Sequence, residues 1–100
     1  MCEEKIEKEI QKKGLTAPRI TPEHIDATIR DRDYHIFKDG TLTVCCLTLK
    51  NGFTVTGESA CASPENFDAE IGRNIAFKNA RDKIWALEGY LLKEKLFQQS

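Results

Sequence analysis

One hundred residues with 15 basic and 16 acidic side chains leave a net charge of −1. Such a chain builds one domain with a modest core and no global field to draw in nucleic acid or an acidic membrane. No apolar run approaches the ~20 residues a membrane-spanning helix needs, and the Met1-Cys2-Glu3-Glu4-Lys5 start has no signal-peptide core. The four cysteines, two of them adjacent at Cys45 and Cys46, read as reduced thiols of a cytoplasmic protein rather than a disulfide scaffold.

Residues 1–17 form a charged N-terminal arm, and 18–100 a single α+β domain. In the arm, Glu3, Glu4, Glu7 and Glu9 alternate with lysines around Ile6 and Ile10. That pattern supports a turn or two of solvated helix ended by Gly14, either a frayed tail or an arm that grips another subunit. Thr21-Pro22-Glu23 then opens a second helix, with Thr21 as N-cap, Pro22 first inside, and Ile25 and Ile29 on its inner face. Arg30 to Asp33 is expected to close it.

Three strands follow: Tyr34–Phe37, Thr41–Leu49 and Phe53–Cys61, the first two joined through Lys38-Asp39-Gly40. Asn51-Gly52 is the strongest short hairpin signal, and as a two-residue turn it sets Lys50 opposite Phe53. That register puts Leu42, Val44, Cys46, Phe53 and Val55 on the face expected to seat a helix. Thr43, Cys45, Leu47, Leu49, Thr54, Thr56 and Glu58 fall on the other, open face.

Ser63 to Gln98 reads as one long helix, with Ser63 as N-cap and Pro64 first inside. At about 35 residues it would run roughly 52 Å. Its apolar residues fall on two stripes. Phe67, Ile71, Ile75, Trp85, Leu92 and Leu96 are expected to cover the sheet, with Trp85 beside Phe53 or Val55. Ala69, Ala76, Ala80, Ile84, Leu87 and Leu91 are left for a second copy of the chain, so a homo-oligomer through the long helix is expected. Gly72 and Gly89 each cost about 1 kcal/mol in a helix, which implies close packing at both.

The strongest candidate for a ligand site is the junction between the last strand and the long helix. Glu58, Ser59 and Ser63 lie there beside free backbone N–H groups, and Arg73 and Arg81 follow on the helix as anion partners. Other chemistry is weaker. Gly57-Glu58-Ser59-Ala60-Cys61 is half of a nucleophile elbow, but its second glycine is missing and His24 and His35 both precede the serine. Cys61 before a helix start is a small hydrophobe unless a base such as His35 stands near it. His35, Cys46 and Cys61 are scattered over three strands, so no metal, cofactor or catalytic residue is assigned.

The stretch Asn51-Gly52-Phe53-Thr54-Val55-Thr56-Gly57-Glu58-Ser59-Ala60-Cys61 continues through Pro64-Glu65-Asn66-Phe67-Asp68, Ile71-Gly72 and Lys83-Ile84-Trp85 to Leu87-Glu88-Gly89-Tyr90-Leu91-Leu92. With the Thr21-Pro22-Glu23 start, it resembles a family of small tailed-phage and prophage proteins named after phage gene products forty-nine and sixty-six. The resemblance spans about Pro18 to Leu96. It implies a viral accessory protein made in a bacterial cytoplasm, and it assigns no activity and no catalytic residues. The leading expectation is a non-catalytic binder that holds a small nucleotide-type ligand of antiviral signalling between subunits, countering host defence. The alternatives are a module that docks on a host enzyme and, behind it, a thiol enzyme.

Overall fold

The computed structural model describes residues 3–15, 17–38 and 40–100. Met1, Cys2, Thr16 and Asp39 lie outside the described residues, and with them the centre of the Lys38–Gly40 turn and one of the four cysteines. The chain runs through α1 (Glu3–Lys12), α2 (Pro22–Thr28), β1 (Ile29–Ile36), β2 (Leu42–Leu49), β3 (Thr54–Ala60) and α3 (Ala69–Gln99), with a single 3-10 turn at Pro64–Asn66. The fold is therefore α+β: short N-terminal helices, a three-stranded antiparallel meander in the order β1-β2-β3, and a long C-terminal helix.

Helix α1 ends where Gly14 turns left-handed at φ 68°. There the Gly14 N–H donates to Gln11 O and the Leu15 N–H to Ile10 O, a Schellman closure. The hydroxyl of Thr21 caps α2 by accepting from the His24 N–H at 3.1 Å. The helix is only seven residues long, and Ile29 is already extended. Arg30 to Asp33 thus belong to β1 and do not close α2. Pairing with β2 gives their backbone its partners, and a register shift between Ile29 and Asp31 leaves Arg30 as the extra residue. The alternation then points Tyr34 at the core and sets the Arg32 guanidinium 4.4 Å from the centre of the Phe77 ring.

The β2–β3 hairpin has a three-residue loop, Lys50-Asn51-Gly52, where the sequence implies two. The Leu49 N–H donates to Phe53 O at 2.8 Å, and the Gly52 N–H donates to Leu49 O at 2.9 Å. Gly52, at φ 90°, occupies the left-handed position that such loops need. The one-residue difference moves β2 to its opposite face. Leu47 now pairs Val55, Cys45 pairs Gly57, and Thr43 pairs Ser59. The buried face is Thr43, Cys45, Leu47, Leu49 and Val55, not the Leu42-Val44-Cys46 face.

The long helix is corrected in two respects. Ser63 makes no side-chain cap bond, and Phe67 is extended. The cap is Asp68, whose carboxylate accepts from the Ile71 N–H at 3.0 Å, so α3 has 31 residues. Its buried residues are Gly72, Ala76, Ala80 and Ile84, each four apart, and small side chains there let the helix lie close on the sheet. The stripe assignment is thus reversed. Ala76 and Ala80 are fully buried beneath the chain's own sheet, while Trp85 only flanks the core and sits under α1. A bulky residue at Ala76 would break the fold itself. Ile25 of α2 completes the core. Among the described residues no helix is long and apolar enough to cross a membrane.

Candidate functional site

The junction of β3 and α3 brings together only part of the expected cluster. Ser59 sits in β3 opposite Thr43, half-buried, and lines a cavity of about 190 Å³ with Asn66, Phe67, Asp68 and Ile75. Ser59 is therefore a strand residue and not the apex of a strand-to-helix elbow. Glu58 points to solvent, and its backbone oxygen accepts from Asn79 Nδ2 at 2.9 Å. Ser63 is exposed, and its carbonyl accepts a hydrogen bond from the Cys61 thiol at 3.1 Å. Neither Arg73, which is half-buried, nor Arg81 lines this cavity. Among the described residues its one charged lining residue is Asp68, already committed as the α3 cap.

Arg81 instead belongs to a second site, built where α1 crosses α2 and α3. Its side chain is 12% exposed, and it donates to Glu3 Oε1 at 2.6 Å, Asp26 Oδ1 at 2.8 Å and the Pro22 carbonyl at 3.3 Å. Trp85 Nε1 donates to the same Glu3 oxygen at 2.8 Å. One turn further along α1, Glu7 takes both guanidinium nitrogens of Arg19, at 2.6 and 2.5 Å. Burial alone would lower the Arg81 guanidinium, but its hydrogen bonds to Glu3 and Asp26 outweigh that and hold it above its ordinary value. The hydrogen bond from Arg19 holds the Glu7 carboxyl below its ordinary value. Between these polar anchors lies an apolar groove of about 260 Å³, lined by Ile6, Ile10, Ile20, Pro22 and Trp85.

A third groove of about 410 Å³ opens between α2, the hairpin tip and α3. His24 Nε2 and Glu88 Oε1 stand 2.8 Å apart on its wall, over Ala27, Leu49 and Leu91. Sixty-four residues separate the two partners, so no local spacing announces the pair. The Arg81 cluster joins residues up to 82 apart, and its one legible sign is the Glu3-Ile6-Glu7-Ile10 face of α1.

Cys45, Cys46 and Cys61 are free thiols. Among the described residues no three His, Cys, Asp or Glu side chains converge in metal-binding geometry, and His35 instead meets Phe37 edge-on, with ring centres 4.5 Å apart.

Residues 20–96 match the model of the phage protein (N4 Gp49/phage Sf6 gene 66) family. No curated protein and no solved structure matches the chain. The matched segment runs from the residue before the α2 cap almost to the end of α3, leaving out α1, the stretch 13–19 that follows it, and the last four residues. It holds every strand and the whole buried core, and on that extent the chain belongs to the phage protein (N4 Gp49/phage Sf6 gene 66) family.

Proposed function

We propose that this phage protein is a non-catalytic accessory factor that acts in the cytoplasm of the infected bacterium by binding a host protein through the C-terminal half of α3. One observation carries the reading. Leu87, Tyr90, Leu91 and Phe97 recur at helical spacing on one face of α3, and all four are exposed, Tyr90 by 73% and Phe97 by 68%. Spacings of three and four along an exposed helix are how such elements dock into an apolar groove. Large aromatic anchors supply most of the energy of such contacts. The same surface would serve self-association, the other partner considered for this helix.

The test is capture from bacterial lysate by the full chain and by a Tyr90→Glu/Leu91→Glu variant, with light scattering on each. A single host protein held stoichiometrically by the parent and released by the variant supports the proposal. Dimers that the variant dissolves, with no host protein held, assign the surface to self-association.

A second reading, a nucleotide-type ligand that signals antiviral defence, draws support from the polar cavity at Ser59 and the start of α3. Asp68 in its wall works against a phosphate there. Calorimetry against cyclic oligonucleotides decides it: binding that Ser59→Ala abolishes would favour this reading over the first.

A further inference from the structure

Helix α1 holds the chain by a narrow set of contacts. It buries none of its residues. Its attachment consists of two carboxylates one turn apart, Glu3 and Glu7, received by Arg81, Trp85 and Arg19. Ile6 and Ile10 lie between them over the groove, yet Ile6 stays 40% exposed and about 260 Å³ remains unfilled beside Trp85, Ile20 and Pro22. Dispersion falls off within an ångström, so a gap of this kind forfeits much of the contact energy that a filled groove would have. The polar half of the site is closely matched to a helix, and the apolar half is under-occupied.

We infer that the groove of Arg19, Arg81 and Trp85 is a docking site for an acidic amphipathic helix of another protein, with carboxylates at i and i+4 and apolar side chains larger than isoleucine at i+3 and i+7. Helix α1 is the internal occupant that such a helix displaces. Charge complementarity selects this partner: with α1 displaced, Arg19 loses both bonds to Glu7, the Trp85 indole N–H loses Glu3, and Arg81 keeps Asp26 and the Pro22 carbonyl but loses its third acceptor, so only an occupant bearing carboxylates restores all three. The unfilled volume supplies the preference for the larger side chains. Being tethered, α1 competes at high effective concentration, so apparent affinity rises when its own grip is weakened. The groove shares no residue with the exposed α3 face of Leu87, Tyr90, Leu91 and Phe97, and the inference stands apart from the function proposed for that face.

The test uses the full chain and a labelled, N-acetylated peptide of residues 3–13 carrying Ile6→Phe and Ile10→Phe, read by fluorescence anisotropy. The expected result is saturable binding to the parent chain, at least tenfold tighter binding to a Glu7→Arg chain whose arm is repelled by Arg19, and loss on Arg19→Glu. A peptide with lysine in place of both Glu3 and Glu7 should not bind. Trp85→Phe, which removes the indole donor while keeping an aromatic wall, should weaken binding without unfolding the chain, as circular dichroism would verify. No saturation with the Glu7→Arg chain, or binding indifferent to Arg19→Glu, overturns the inference. Dimerisation of the Glu7→Arg chain without peptide uptake also overturns it and gives the groove to a second copy.

Discussion

A methyl group placed on Gly57 would stand 2.2 Å from the backbone nitrogen of Ala80 and 2.5 Å from the Ala76 carbonyl oxygen. Strand β3 and helix α3 therefore touch backbone to backbone, and neither can give way. Gly57→Ala is expected to cost about 3 kcal/mol or more, at or beyond the upper end of ordinary overpacking. Thermal melts of parent and variant would check it. An unchanged melting temperature would contradict the packing described here.

Thr43 carries a different kind of cost. It is fully buried, and its hydroxyl has no hydrogen-bond partner among the described residues. An unpaired buried polar group costs about 1–3 kcal/mol, and an apolar group of the same shape removes that penalty. Thr43→Val is expected to leave stability unchanged or raise it by about 1 kcal/mol. Urea titration reads this from the midpoint.

Among the described residues nothing lies within 4 Å of where a Cβ on Gly89 would stand, so the close packing implied by its place in a helix is absent. Without that constraint, only helix propensity remains. Gly89→Ala should stabilise the fold by about 0.5–1 kcal/mol, seen as a melting point raised by a few degrees.

Burial pushes the Cys45 thiol above its ordinary value of 9.0. The folded chain therefore favours the protonated thiol. This contribution to stability is complete below pH 9.0 and is lost as the pH rises beyond it. In the native protein Cys46 and Cys61 should react with a thiol reagent at pH 8, and Cys45 only after unfolding. Mass spectrometry of digested, labelled protein separates the three sites.

The order and type of the elements were legible because their signals are local: Thr21-Pro22-Glu23 at a helix start, Asn51-Gly52 at a turn, and a long amphipathic run at the end. Facing was not legible. Both faces of β2 carry apolar residues, Leu42, Val44 and Cys46 against Cys45, Leu47 and Leu49, so composition does not choose between them. The choice lay in whether Lys50 belongs to the loop, a matter of Gly52 taking a positive φ after the turn rather than within it. The facing of α3 follows from the same choice. By size Trp85 reads as the core residue, whereas the actual seam needs alanine and glycine because Gly57 brings the backbones together. At the start of that helix both Ser63 and Asp68 are good caps, and only the 3-10 turn between them decides for Asp68. Of the candidate site residues, Ser59 lines a cavity and Arg81 is bound to α1 and α2, because an arginine near three oxygens is held there whatever its neighbours in sequence.

Near Leu91, helix α3 and the hairpin tip at Leu49 and Asn51 form opposite walls of one groove. In the two turns beyond, the side chains are mostly open to water. Those turns stand outside the cooperative unit that unfolds with the core. Their amides are shielded by helix formation alone, so deuterium enters them by fraying at low free energy while residues 76–84 wait for global opening. The chain thus ends in a segment whose order is cheap to lose and open to being reinforced from outside.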